Sequence, residues 1–196
     1  MLTMIKIFIT SILFILLSAC SSVKKAGVVY HDGFDFTSVK SYSFYDRNST
    51  FSETQSLLDS RRNAIEIAIE RTMADNKFSY AEITQADVII TYYIFNDKRA
   101  DYANYNKAVH FCTHCLRATT WQTDQKYSSI SQGNLILDLV DPKQNRSVWR
   151  SVYPLNLEEK ENSAETNDRI KHAVSTMLEQ YPQTNLKTKL VLGSSN

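Results

Sequence analysis

The chain has 196 residues, 43% of them hydrophobic, 22% charged and 11% aromatic, which excludes a disordered chain, a collagen-like chain and a polytopic membrane protein. Twenty-two basic residues against 21 acidic ones leave a formal net charge of +1, so composition gives no basis for binding nucleic acid through its phosphates. The four glycines, Gly27, Gly33, Gly133 and Gly193, are too widely spaced for a dinucleotide fingerprint, a phosphate loop or a nucleophile elbow.

The N-terminus has the pattern of a bacterial export signal. Lys6 supplies one positive charge, and 7–17 is an almost unbroken apolar run. That run is too short to span a bilayer comfortably, but it suits the apolar region of a signal peptide. It ends in Leu17-Ser18-Ala19-Cys20, which is typical of a lipobox. The alternative is an ordinary signal peptide, or a single anchor helix, with an incidental cysteine. We expect 1–19 to be removed and Cys20 to be lipidated.

The residue after the cysteine indicates where the lipoprotein is sorted. An aspartate there would resemble the inner-membrane retention signal of Gram-negative bacteria, whereas this chain has Ser21. We therefore expect an outer-membrane lipoprotein whose domain faces the periplasm, with the membrane as its partner through several acyl chains. In this interpretation 20–27 is a lipidated tether and 28–196 is a single globular domain.

The first half of the mature chain predicts strands on either side of a helix. Short strands are expected at 28–31, around Tyr42 and Phe44, and at 78–80. The segment 52–55 reads Ser-Glu-Thr-Gln, which matches a capping box and predicts a helix to about Asn76. The predicted apolar stripe of this helix consists of Leu58, Ile65, Ala68, Ile69 and Met73.

The second half predicts a buried strand, a hairpin and a second helix. The apolar run 86–95 indicates a central strand, 116–126 could be another, and 133–157 has the alternation and turn chemistry of a β-hairpin. The structure of 96–115 is not readable. A helix from about Ser163 ends at Pro182, with an apolar stripe of Ile170, Ala173, Val174, Met177, Leu178 and Tyr181. Together these elements predict an α+β domain with two helices packed on one face of a mainly antiparallel sheet.

Five motifs follow the lipobox in order along the mature chain. They are Phe36 with Lys40, Ser41, Tyr42 and Phe44; Ile65 with Ala68, Ile69 and Glu70; Ala86 to Tyr92; Gly133, Leu135, Asp138 and Asp141 followed by Trp149 and Arg150; and Ala173 to Pro182. This order resembles the bacterial lipoprotein family catalogued as domain of unknown function 4136. The resemblance implies an envelope location and an α+β fold, but no established activity. This chain differs from the family pattern in its middle loop, which lacks glycine and contains cysteines.

A cluster of four residues in that loop could carry chemistry: His110, Cys112, His114 and Cys115. Lipidation would occupy Cys20, and thiols oxidise outside the cytoplasm. A disulfide between the two remaining cysteines, Cys112 and Cys115, is therefore favoured. A zinc or copper(I) site using all four residues is an alternative, although four ligands within six residues crowd a tetrahedral site. A redox-active dithiol is a third possibility, without a visible thioredoxin-like context.

The remaining polar residues favour structural roles. Asp138 and Asp141 lie near a hairpin turn, where aspartate usually caps the turn. Trp149 is expected in the core because of its strand position, and Arg150 beside it could form part of a binding surface. We see no catalytic constellation, and we expect no cofactor and no nucleic-acid partner. The leading hypothesis is non-enzymatic binding or assembly in the envelope. A metal- or thiol-redox-handling protein that uses 110–115 is the alternative.

Overall fold

The computed structural model describes residues 26–45, 57–96, 98–112, 132–157 and 162–182. Within these residues one six-stranded sheet carries three helices. The elements in chain order are β1 (Gly27–Tyr30), β2 (Ser41–Phe44), α1 (Asp59–Asp75), β3 (Ser79–Tyr80), β4 (Val88–Ile94), α2 (Arg99–Ala108), β5 (Asn134–Asp141), β6 (Arg146–Pro154) and α3 (Ser163–Leu178).

The sheet is mixed, in the order β1-β6-β5-β4-β2-β3. The neighbours from β1 to β4 pair antiparallel, whereas β2 pairs parallel with both β4 and β3. The parallel pairs arise because α1 carries the chain back to the starting end of the sheet before β3 and β4 form. The α+β class is confirmed, and the sheet is mostly antiparallel with a parallel edge.

Two helices cover one face of the sheet, as expected from their stripes. Ile65, Ile69 and Met73 of α1 are buried in the same apolar cluster as Val174 and Met177 of α3. Every predicted stripe residue of α3 is buried. The helix begins after Asn162, whose side chain accepts from the backbone N–H groups of Ala164 and Glu165, and Glu165 completes a capping box.

The predicted start of α1 is wrong. The helix begins at Asp59, after Leu58, and it has no side-chain cap. Leu58 is 67% exposed and does not belong to the buried stripe. Leu58 has an extended backbone (φ −60°, ψ 141°), and the fully buried positions of the helix begin only at Ile65, so little packing supports a helical conformation at Leu58. The predicted capping box at 52–55 lies outside the described residues.

A third helix, which the sequence did not predict, covers the opposite face. In α2 and at its end, Tyr105 and Val109 are buried against Ile89, Tyr93 and Ile136 of the sheet. The two predicted helices do share one face, and the expected count of two is wrong because α2 adds a third helix on the other face. The predicted central strand and the 133–157 hairpin are both present, as β4 and as β5 with β6.

Other expectations fall on parts of the chain that are not described. The possible strand at 116–126 and the tail after Pro182 lie outside the described residues. In the part of the chain that the structure describes, no helix has the length and hydropathy needed to cross a bilayer.

Candidate functional site

The residues predicted to carry chemistry are only partly described. Cys20, His114 and Cys115 lie outside the described residues. His110 follows α2 with a left-handed backbone (φ 47°), and Cys112 is disulfide-bonded. A sulfur in a disulfide is not a thiolate, so this Cys112 is not available as a metal ligand. The described residues contain no group of three or more side chains able to hold a metal ion.

The structure instead brings together Asp138 of β5 and Arg150 of β6. The two residues face each other in the antiparallel register, and both side chains are 0% exposed. Arg150 Nε donates to Asp138 Oδ1 at 2.9 Å and lies 3.1 Å from Oδ2. A buried ion pair is stable only when further hydrogen bonds satisfy both partners.

Asp138 receives these further bonds from two hydroxyl groups. Tyr105 of α2 donates to Asp138 Oδ2 at 2.7 Å, and Ser147 donates to Oδ1 at 2.5 Å. The hydroxyl oxygen of Thr91 lies 2.8 Å from that of Tyr105 and extends the network into β4. Both carboxylate oxygens are thus satisfied by donors from two neighbouring elements, β6 and α2.

Arg150 is held by α2 and by the residues that follow it. Its Nη1 donates to Asn106 Oδ1 at 2.8 Å and to the Tyr102 hydroxyl at 3.3 Å. The guanidinium carbon lies 3.5 Å from the ring centroid of Phe111, a cation–π contact next to the disulfide-bonded Cys112. Arg150 Nη2 is buried and makes no hydrogen bond.

The electrostatics of this cluster keep its groups in fixed protonation states. Burial raises the pKa of Tyr105 well above its ordinary value, and the nearby negative charge of Asp138 raises it further. Burial alone would lower the pKa of Arg150, but the charge of Asp138 outweighs burial and the pKa is raised. A neutral tyrosine and a charged arginine, both enclosed, are unsuited to proton transfer with a substrate. We conclude that the cluster fastens α2 to the sheet.

This result corrects the interpretation of Asp138 and refines that of Arg150. Asp141 does cap the hairpin turn, because its Oδ1 accepts from the backbone N–H of Lys143 at 2.8 Å. Asp138 is instead buried in the ion pair, and Arg150 stacks on Phe111 rather than forming a binding surface. Trp149 is in the core, as expected. The sequence contains a signal for this ion pair that was missed: Asp138 and Arg150 are one acidic and one basic residue at apolar positions of two strands predicted to pair.

A second polar cluster joins two of the five sequence motifs, the one that contains Lys40 and Ser41 and the one from Ala86 to Tyr92. Asp87, just before β4, accepts through Oδ2 from the backbone N–H groups of Lys40 and Ser41 and from the Ser41 hydroxyl, each at 2.9 Å. Burial acts to raise the pKa of Asp87, but these hydrogen bonds outweigh it and the pKa is lowered. The carboxylate fastens the start of β2 to the start of β4.

The described surface also has a cleft of about 480 Å³ at one end of the sheet. The end of β4, the start of β5 and the end of β6 meet there, opposite the first turn of α1. Its apolar lining consists of Ile94, Phe95, Leu155 and Leu157. Arg61, Asn96, Gln132 and Asn156 supply the polar side chains.

Two left-handed residues shape the floor of the cleft. Gly133 has φ 81° and Asn156 has φ 45°. Gly133 N–H donates to the Phe95 carbonyl at 2.8 Å, and Asn156 N–H donates to the Gly133 carbonyl at 3.1 Å. Glycine suits this left-handed conformation, and a Cβ there would lie 2.9 Å from Asn156 Oδ1 and would displace that side chain.

Comparison with known proteins identifies one family and a few similar folds. The family model of a domain of unknown function, DUF4136, matches residues 27–183. No curated protein matches the chain. The crystal structure of a DUF4136 family protein from Bacteroides thetaiotaomicron covers 82% of this chain and 96% of its own, with 15% identity and a TM-score of 0.55. That likeness supports the fold.

Two other solved structures are less similar. A PDZ domain protein from Parabacteroides distasonis covers 82% of this chain and 36% of its own, with 16% identity and a TM-score of 0.48. The dodecamer of a point variant of PelC from Paraburkholderia phytofirmans covers 79% of this chain and 97% of its own, with 6% identity and a TM-score of 0.34.

Proposed function

The chain belongs to the DUF4136 family, a domain of unknown function, and from that premise we propose that it is an outer-membrane lipoprotein whose domain faces the periplasm and acts in envelope binding or assembly. The observation that carries the proposal is the lipobox Leu17-Ser18-Ala19-Cys20 behind a short apolar run. Ser21 after the cysteine favours the outer membrane over the inner one.

The distance from the lipid to the folded domain supports a role at the membrane surface. Ala26 is already buried in the core, and β1 begins at Gly27. The chain from Cys20 to Ala26 reaches about 20 Å when fully extended. A domain on so short a tether stays close to the bilayer and meets partners at that surface.

A binding role also agrees with the chemistry of the described residues. The largest group of buried polar side chains surrounds Asp138 and Arg150, and it is enclosed and internally satisfied except for Arg150 Nη2. The cleft beside Gly133 is lined by apolar, amide and guanidinium groups, without a described carboxylate, histidine or thiol that could act as base or nucleophile.

Metabolic labelling tests the lipid anchor. Cys20→Ala should abolish incorporation of labelled palmitate and leave the precursor uncleaved, because the acceptor sulfur is gone. The matched control is Cys112→Ser with Cys115→Ser, which should retain the label. Continued labelling of Cys20→Ala would contradict the proposal.

Membrane fractionation tests the sorting. Ser21→Asp should move the lipoprotein from the outer-membrane to the inner-membrane fraction of a sucrose gradient in a Gram-negative host, while Ser21→Ala should leave it in place. Equal distribution of the two variants would show that the residue after Cys20 does not direct this protein.

We propose further that Cys112 pairs with Cys115, since lipidation would occupy Cys20. The loop closed by such a bond is very short, so its loss should reduce stability by less than the ~3 kcal/mol of a 15-residue loop. Mass spectrometry after alkylation, with and without reductant, checks the pairing. Two freely alkylated thiols with stoichiometric zinc or copper would favour the metal alternative at 110–115, and two free thiols without metal would favour the redox alternative.

A further inference from the structure

We propose that the cleft between the first turn of α1 and the ends of β4, β5 and β6 binds a small amphiphile, with its single anionic group at Arg61 and its apolar chain against Ile94 and Leu157. The inference rests on the binding role proposed above and gives it a ligand class. It does not depend on the lipid anchor.

The size and lining of the cleft fit such a ligand. Its volume of about 480 Å³ lies within the range of small-molecule sites, roughly 300–1,000 Å³. Phe95 and Leu155 are buried and form its inner wall, while Ile94 and Leu157 are partly exposed and form its outer wall. Burying a chain of methylene groups against these side chains is favourable at about 0.8 kcal/mol per group.

The charge at the cleft has one sign. Arg61 is the charged residue among the described side chains that line it, and it forms no ion pair within the described part of the chain. Arg61 stands in the first turn of α1, whose N-terminus has no side-chain cap. The same turn contains Asp59, outside the cleft lining, which offsets the positive end of the helix dipole, so the preference for an anion rests on the Arg61 guanidinium. A carboxylate and a phosphate share the required chemistry.

The backbone of the cleft is formed before any ligand binds. The hydrogen bonds from Gly133 to Phe95 and from Asn156 to Gly133 join the three strand ends, and they fix two residues in left-handed conformations. Asn156 is a non-glycine residue in this region, and such backbone is enriched at ligand sites, whereas glycine adopts the conformation freely. The Asn96 and Asn156 side chains supply amide groups at the same place, which suit the oxygen atoms of an anionic group.

Isothermal titration calorimetry tests the proposal with decanoate and decyl phosphate below their critical micelle concentrations and with decanol below its solubility limit. The experiment uses the mature chain, 20–196, with Cys20→Ala, so that the protein carries no acyl chain of its own. The family match over 27–183 and the described core lie entirely within that chain. Decanoate or decyl phosphate should bind with Kd of roughly 10–100 µM. The ligand with the lower Kd shows whether the site prefers a carboxylate or a phosphate.

Three variants locate the site. Arg61→Gln should weaken the anionic ligand about five- to tenfold and leave decanol within about twofold. Arg62→Gln, the neighbouring basic residue outside the cleft lining, should change neither ligand. Leu157→Trp should weaken both by filling the apolar wall. Circular dichroism spectra and melting temperatures like those of the parent chain establish that each variant is folded.

Each outcome decides the question. Absence of binding by both anions at millimolar concentration overturns the site. Equal affinities in Arg61→Gln and Arg62→Gln overturn the anion recognition, and unchanged binding in Leu157→Trp places the ligand elsewhere. Palmitate labelling is independent of these measurements, so failure of the ligand proposal and failure of the lipoprotein proposal are distinguishable.

Discussion

The two faces of the sheet are stabilised in different ways. Along β4, Val88, Ile90 and Tyr92 point toward α1 and α3, into an apolar cluster, whereas Ile89 and Tyr93 point toward α2. The α2 face also contains Thr91, Asp138 and Arg150. One face depends mainly on the area of apolar surface that it removes from water, and the other combines a smaller apolar cluster with a buried network of polar bonds.

The difference predicts how each face tolerates change. An apolar face loses stability roughly in proportion to the volume removed or the charge introduced. A buried ion pair is disrupted far more by removing one partner than by replacing both with apolar residues. Five substitutions, at Val174, Arg150, Asp138, Asn162 and Asp87, sharpen this comparison.

The largest effect is expected on the α3 face. Val174 is fully buried among apolar side chains, so Val174→Asp places an unpaired carboxylate there and should cost about 4–6 kcal/mol. Lys171→Asp, at an exposed position of the same helix, is the control and should change stability by less than about 1 kcal/mol. Urea unfolding measures both. A folded Val174→Asp with unchanged midpoint would show that this stripe does not support the core.

The next largest effect is expected at the ion pair. Arg150→Met should cost about 3–5 kcal/mol, because Asp138 would remain buried without its countercharge. Hydrogen exchange should then increase in α2 more than in α3, since Arg150 bonds to Tyr102 and Asn106 of α2.

The double variant distinguishes an ion pair from simple loss of packing. Asp138→Leu combined with Arg150→Met should be more stable than Arg150→Met alone, with a coupling of about 2 kcal/mol or more. Additive losses in urea unfolding would contradict the interpretation that the two charges stabilise each other.

The sequence predicted the first face well and the second poorly, for a physical reason. The stripe of α3 from Ile170 to Tyr181 repeats at helical spacing, so its partner surface follows from periodicity alone. The stripe of α2 consists of Tyr102, Tyr105 and Val109, and two of its three members are amphipathic residues that also suit a strand or a surface. The two tyrosines also bond to residues far along the chain: Tyr105 to Asp138, 33 residues away, and Tyr102 to Arg150, 48 residues away.

The candidate cleft could not be predicted from the sequence for a similar reason, because contacts between distant parts of the chain form it. Gly133 could be recognised within a motif, but its required left-handed conformation arises from contact with Asn156, which the next strand brings back. Arg61 carries no sequence signal that distinguishes it from Arg62. Only the packing of α1 places the first at the cleft and not the second.

A smaller effect is expected at the start of α3. Asn162→Ala removes the side-chain acceptor for two backbone N–H groups and should cost about 1 kcal/mol. Asn162→Asp keeps an acceptor and should stay close to the parent protein. Thermal unfolding of the three proteins measures the difference. If Asn162→Ala and Asn162→Asp melted together, the capping box would not contribute.

The smallest effect is expected at Asp87, and it depends on pH. The hydrogen bonds from Lys40 and Ser41 outweigh burial and lower the pKa of Asp87 in the folded protein. The unfolded chain, with an ordinary aspartate pKa of about 3.9, therefore takes up a proton before the folded chain does. The resulting stability is present above that ordinary value and is lost as pH falls through the lowered one.

Because Asp87 is largely exposed, solvent screening limits its contribution to about 0.5–1 kcal/mol at neutral pH. Urea unfolding of the parent protein and of Asp87→Asn between pH 7 and pH 2.5 should show two curves that converge as the medium becomes acidic. Glu82→Gln removes an exposed carboxylate from the same loop and is the matched control at neutral pH, where it should change stability by less than about 0.5 kcal/mol. Parallel curves for Asp87→Asn would mean that the carboxylate does not hold the parallel edge of the sheet through its charge. The connection between β2 and β4 would then depend on the Ser41 hydroxyl, which donates to Asp87 Oδ2 and accepts from the Asp87 backbone N–H at 3.1 Å.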